Sequence, residues 1–70
     1  MKAIISYIND GTHCTHEDNE AIDIIEFAHA YSIDSLRFQG IAMNGDAKKF
    51  ALFTGTSELT GPVMVQLFEE

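Results

Sequence analysis

Apolar side chains alternate at the start of the chain. From Lys2 to Ile8, Ala3, Ile5 and Tyr7 fall on one side, and Ile4, Ser6 and Ile8 on the other. That is the two-residue period of a strand. Both sides are largely apolar, which suits a central strand. Asn9-Asp10-Gly11 ends it with turn chemistry.

Residues 11–15 read as a loop. Thr15-His16-Glu17-Asp18 then resembles a capping box, with Asp in place of the usual Glu or Gln. Glu17, Asp18 and Glu20 would crowd a first helical turn, where the dipole favours negative charge. The pattern predicts a helix from about His16 to Tyr31. At 100° per residue, Ala21, Ile24, Ile25 and Ala28 form one stripe, expected to face a sheet. Asn19, Glu20, Asp23, Glu26 and Ala30 lie opposite. Phe27 falls among the acidic residues.

A second strand is expected from Ser35 to Met43, with Leu36 and Phe38 pointing one way and Arg37, Gln39, Ile41 and Met43 the other. Gly40 marks a bulge or a close approach. Asn44-Gly45 is a hairpin signal of type I′, which needs φ > 0 at both central positions. A returning strand from Asp46 to Thr54 comes next, then a loop over residues 55–62 and a last strand from Val63 to Phe68. The order is β-α-β-β-β. This predicts a single α+β domain over residues 1–70, one helix packed on one face of a four-stranded, largely antiparallel sheet.

One helix covers one face. The covered face is expected to hold Ile5, Tyr7, Leu36, Phe38, Phe50, Leu52, Val63, Val65 and Leu67. The other would carry Ile4, Ile8, Ile41, Met43, Phe53, Met64 and Phe68, where a one-sided antiparallel sheet normally shows polar residues. An apolar patch of this kind marks an interaction site. Ile41, Met43, Phe53, Met64 and Phe68 are therefore candidates for a homodimer or second interface. A bulge at Gly40 would instead flip the phase of the residues after it.

Charge sharpens the picture. Eleven acidic against four basic residues give the 70-residue chain a formal net charge of -7. Such a field repels nucleic acid and anionic lipid and attracts basic surfaces. Direct nucleic-acid binding, which needs Lys and Arg on phosphates, is disfavoured. Phe27 has two readings. It folds over the edge of the stripe beside Ile24 and Tyr31, or it is an aromatic anchor with an acidic rim. On the second reading Glu20, Asp23, Glu26, Phe27 and Ala30 form the partner-binding set.

His13, Cys14 and His16 offer zinc-ligand types, but with no second cysteine and no distant His pair to complete a structural site. They read first as an exposed polar loop, and only secondarily as a metal-binding module. A Cys14–His nucleophile pair fares no better, since acidic surroundings raise a thiol pKa. No phosphate-binding glycine loop is present. The expectation is a protein that is not an enzyme and uses no cofactor. The first seven residues are too short and polar for a signal peptide. No apolar run approaches the ~20 residues of a membrane span, and a lone cysteine fits a reducing compartment. The expected location is cytoplasmic.

The acidic run Glu17-Asp18-Asn19-Glu20, continued by Asp23 and Glu26 on one short domain, resembles the small acidic inhibitors that phages use against bacterial defence, anti-CRISPR proteins among them. The resemblance rests on size, charge and element order and carries no residue roles. It implies a protein partner with a basic, nucleic-acid-binding surface, blocked by direct contact. The alternative is a homo-oligomeric structural or assembly protein.

Overall fold

The computed structural model describes residues 1–18 and 20–69. Six elements succeed one another: β1 (Lys2–Tyr7), β2 (Thr12–Glu17), α1 (Ile24–Ala30), β3 (Ile33–Met43), β4 (Lys49–Ser57) and β5 (Gly61–Phe68). The strands form one five-stranded sheet in the order β2-β1-β5-β4-β3. Every pairing is antiparallel. The architecture is mostly sheet, with one helix of seven residues. The expected four-stranded β-α-β-β-β domain is corrected on both counts.

The missing strand is β2. Thr12 to Glu17 does not open a helix; it pairs residue for residue with β1, from Tyr7 opposite Thr12 to Lys2 opposite Glu17. The turn before it explains why. Gly11 takes φ 74, and its N–H donates to Tyr7 O at 2.9 Å. The Asp10 carboxylate accepts from the Thr12 N–H and from the Thr12 hydroxyl, which holds that carboxyl below its ordinary pKa. The chain is thus folded back on β1 before it reaches Thr15.

The helix starts later, at Asp23. Its carboxylate accepts from the Ile25 N–H at 2.9 Å and the Glu26 N–H at 3.5 Å, as an N-cap side chain does. From that cap the inward positions are Ile24, Phe27, Ala28 and Tyr31, the i, i+3, i+4, i+7 spacing of one helical face. They pack on Ala3, Ile5, Ile33, Val63 and Val65, with Ile22, Leu36, Phe53 and Leu67 around the edge. Ile5, Val63 and Val65 are fully buried.

Two irregularities in β3 decide which residues share a face. Asp34 faces Thr56 but Arg37 faces Thr54, and Phe38 faces Phe53 but Gly40 faces Leu52. Each shift inserts one extra residue on β3, and each flips the alternation. Ser35 has φ 55 at the first and Gly40 φ 138 at the second. Phe38, Ile41 and Met43 consequently lie on the helix side of the sheet, with Phe53 and Lys49. Phe50 and Leu52 lie on the other side. This reverses the expected sides of Phe50, Leu52, Phe53, Ile41 and Met43.

The β3–β4 turn also differs from the expected type I′. Only Ala47, at φ 59, is left-handed among residues 44–48. The Ala47 N–H donates to Asn44 O, and Asn44 Oδ1 accepts from the N–H groups of Asp46 and Lys48. Asn44 thus works as an Asx cap on the turn rather than as a residue with φ > 0.

Gly55 is required where β3 bulges. A Cβ there would lie 2.8 Å from Ile33 Cγ2 and 3.1 Å from Asp34 O. Gly55→Ala is therefore expected to cost about 1–3 kcal/mol of folding stability by overpacking. Phe27→Ala should cost about 3–5 kcal/mol, the loss for a buried aromatic. Denaturant unfolding measures both, and a Phe27→Ala protein as stable as wild type would remove Phe27 from the core.

Candidate functional site

Between β2 and the helix the chain carries a dense run of carboxylates. Glu17, Asp18, Glu20, Asp23 and Glu26 are all exposed. The run is held in place by local bonds. The Met1 ammonium donates to Asp18 O at 2.7 Å, and the Asp18 N–H donates to Met1 O. The Asp18 carboxylate accepts from the Glu20 N–H, and that of Asp23 caps the helix. The connection is therefore tied at Asp18 to the start of β1 and at Asp23 to the start of α1. Asn19, read as part of the acidic run, lies outside the described residues.

Above this run the outer side of α1 exposes Ile25, Glu26, His29 and Ala30. Phe27, one of the expected partner-binding residues, is not there. It is 5% exposed; its ring lies 4.8 Å from that of Tyr31 and 5.9 Å from that of His16. The apolar residue that does stand beside the carboxylates is Ile25, 68% exposed. The sequence pattern puts Ile25 in the covered stripe instead. An Asp23 cap corrects this, because the stripe that starts from it contains both aromatic residues, Phe27 and Tyr31. His29 is exposed as well.

The second expected interface does not form one surface. Ile41 and Met43 are exposed and Phe53 half-buried, all on the helix side. Met64 and Phe68 lie on the opposite side, Met64 half-buried and Phe68 buried. Phe68 stacks on Phe50 with ring centroids 5.2 Å apart, and Lys2 Nζ sits 5.1 Å over its ring, a cation–π contact.

The His/Cys group is split by the strand that carries it. In β2, Cys14 faces Ile5 and His16 faces Ala3, on the helix side. His13 faces Ser6, on the other. Among the described residues no three His, Cys, Asp or Glu side chains are placed to hold one metal ion. Cys14 instead meets Tyr31. Burial first, and then the Cys14 thiol with which it shares a hydrogen bond, push the Tyr31 phenol above its ordinary pKa.

The lysines Lys2, Lys48 and Lys49 line one open depression at the sheet end, about 1100 Å³, together with Glu17, Asp18 and Glu69. Its charge is mixed. No helix among the described residues is long and apolar enough to cross a membrane. Comparison with protein-family models, curated proteins and solved structures finds no match to the chain.

The raised phenol has a consequence with a definite sign. The fold favours neutral Tyr31, so its contribution is complete below the ordinary phenol pKa of 10.0 and is lost as pH rises through the raised value. Unfolding free energy should fall at alkaline pH. Tyr31→Phe should flatten that fall, as measured by denaturant titration between neutral and strongly alkaline pH.

Proposed function

We propose that the chain is a non-catalytic binding module that docks a protein with a basic surface. The observation that carries this reading is the exposed run of five carboxylates from Glu17 to Glu26 with Ile25 standing beside it. An apolar residue rimmed by charge supplies both parts of a contact. The carboxylates steer and orient a basic partner, and the isoleucine adds desolvated area near its centre. A net charge of -7 on a chain of 70 residues extends that field over the whole molecule.

Surfaces that bind nucleic acid are basic because they neutralise phosphates. Proteins carrying them are the class of partner whose charge this ridge complements, and contact would occlude the surface that phosphates otherwise occupy. Inhibition by occlusion is thus the mode we propose. The lone thiol of Cys14, exposed on β2, suits a reducing compartment such as the cytoplasm.

The reading predicts a specific loss. Glu20→Gln, Asp23→Asn and Glu26→Gln together remove three charges while Asn keeps the helix cap. Immobilised wild type should retain a nucleic-acid-binding protein from bacterial lysate at low salt and release it at high salt. The triple variant should fail to retain it, and Ile25→Ala should weaken retention with an unchanged melting temperature. Equal retention by wild type and triple variant at low salt would sink the proposal.

A further inference from the structure

β2 forms one edge of the sheet and β3 the other. An edge strand presents a row of unpaired N–H and C=O groups, and proteins blunt it with bulges, proline or charged side chains. β3 does so with its two inserted residues and with exposed Arg37. β2 does not. Its register with β1 runs unbroken from Lys2–Glu17 to Tyr7–Thr12. It contains no proline, lysine or arginine, and all six of its residues are exposed. Nor does the chain that follows it lie along the edge. Met1 exchanges both backbone bonds with Asp18, and Met1 Sδ accepts from the Ile22 N–H. The connection thus turns back toward the start of β1, away from the edge.

The ladder fixes which groups are open. Met1 and Asp18 face each other as a hydrogen-bonded pair. By the alternation of an antiparallel ladder, His16, Cys14 and Thr12 then bond inward to β1. The N–H and C=O of Glu17, Thr15 and His13 point outward. A row of this spacing is satisfied by another extended strand. A two-fold axis normal to the sheet runs two β2 strands antiparallel and keeps the helix on the same side in both copies, as an isologous contact requires. Bonds then form only where outward residues meet outward residues. An axis at Thr15 sets Thr15 opposite Thr15 and each His13 opposite the other copy's Glu17, so every outward group is bonded. An axis at Cys14 puts Glu17 opposite Gly11, whose φ of 74 takes it out of the strand. An axis at His16 leaves His13 beyond the end of the facing strand.

We propose that a second copy of this chain pairs along β2, edge to edge about Thr15, joining the two five-stranded sheets into one. The same register matches side chains. His13 and Glu17 lie on one side of the sheet, and both an imidazole opposite a carboxylate and a Thr–Thr pair are favourable cross-strand contacts. Glu17 is then flanked by Lys2 of its own chain, which it faces on β1, and by His13 of the other. The two Glu17 carboxylates stand four residues apart along the pair, roughly 14 Å, beyond the ~8 Å Debye length. No like charges meet directly within the paired residues, although each copy carries a formal charge of -7. A contact of six residues per strand is small, so the dimer is a weak one. Of the acidic run it uses Glu17 alone, and it stands apart from the docking of a basic partner at Glu20, Asp23, Ile25 and Glu26.

Sedimentation equilibrium from micromolar to millimolar concentration tests the pairing. Wild type should fit a monomer–dimer equilibrium. Thr15→Pro removes an N–H that points to solvent in the monomer, where an edge strand tolerates proline. It should raise the dissociation constant at least about tenfold with unchanged circular dichroism. His13→Glu sets like charges opposite each other and should weaken the dimer about fivefold, and His13→Lys should strengthen it. These two exposed substitutions decide the matter if Thr15→Pro unfolds the chain. Oxidation reads the register. Thr15→Cys in a Cys14→Ser background places two thiols on a hydrogen-bonded pair, Cα atoms about 5.5 Å apart, within disulfide range, and a covalent dimer should form under mild oxidant. Wild-type Cys14 lies diagonal to its copy, about 7–8 Å away, and should cross-link more slowly. Wild type that stays monomeric to millimolar concentration would overturn the proposal. So would a dimer indifferent to Thr15→Pro and to both His13 substitutions. Faster cross-linking through Cys14 than through position 15 would overturn the Thr15 register.

Discussion

Ile5 on the first strand lies directly opposite Val65 on the last, and the rest of the structure is built outward from that junction. β1 and β5 occupy adjacent central places in the sheet. Ala3, Ile5, Val63 and Val65, on their helix side, are the most deeply buried side chains among the described residues. The β1–β2 hairpin hangs on one side and the β3–β4–β5 meander on the other. The helix has a place to sit only because the two terminal strands present one continuous apolar patch. Closing a loop of this length costs chain entropy, although that cost grows slowly with length. The burial of these aliphatic side chains, together with Phe27 and Ala28, offsets it.

Seven helical residues cannot roof five strands. This mismatch explains both surfaces of interest. Toward β2 the chain must travel from the sheet edge to Asp23, and the described residues Asp18, Glu20 and Ala21 on that way are exposed, where charge is tolerated. Toward β3 the helix gives out, and Phe38, Ile41 and Met43 are left uncovered. The strand order puts β2 and β3 at opposite edges of the sheet, and the helix between them carries Ile25 into one groove with Leu36 and Phe53.

Much of this is legible in the sequence, but unevenly. β1 and β5 show regular alternation with apolar residues on both sides, so their extents are readable almost to the residue. Gly40 marks the point where β3 goes out of phase. β2 is not readable, because Thr12-His13-Cys14-Thr15-His16-Glu17 is an exposed edge strand with no apolar period. Its pairing is dictated by the turn at Gly11 and by β1, not by its own side chains. The sequence pattern starts the helix too early because Thr15, Asp18 and Asp23 are all competent caps. Which one is used depends on whether residues 12–17 are already paired. That choice rotates the stripe and decides whether Phe27 or Ile25 faces solvent. The exposure of Glu20, Asp23, Glu26 and Ala30 survives either choice, since the carboxylates stay solvated and Ala30 lies off the inward stripe.

The face assignments fail for a different reason. Alternation is a local rule, and a single extra residue inverts it for everything downstream. β3 contains two such residues, so its pattern cannot be phased from the sequence alone; the sides of β4 follow instead from its unshifted register with β5, with Phe53 opposite Val65. The inversion has a physical effect of its own. Regular alternation would split the apolar residues of β3, Phe38 on one side and Ile41 with Met43 on the other. The shift at Gly40 gathers all three on the helix side, where the short helix cannot cover them. A glycine with φ 138 therefore does more than relieve a strained backbone: it converts scattered surface residues into one contiguous strip. Salt acts unequally on the two regions that result. At physiological ionic strength the Debye length is about 8 Å, so the field of the exposed carboxylates is cut off over a short distance. The pull of the acidic run on a basic partner is therefore screened by salt, while burial of the apolar strip is not weakened by it.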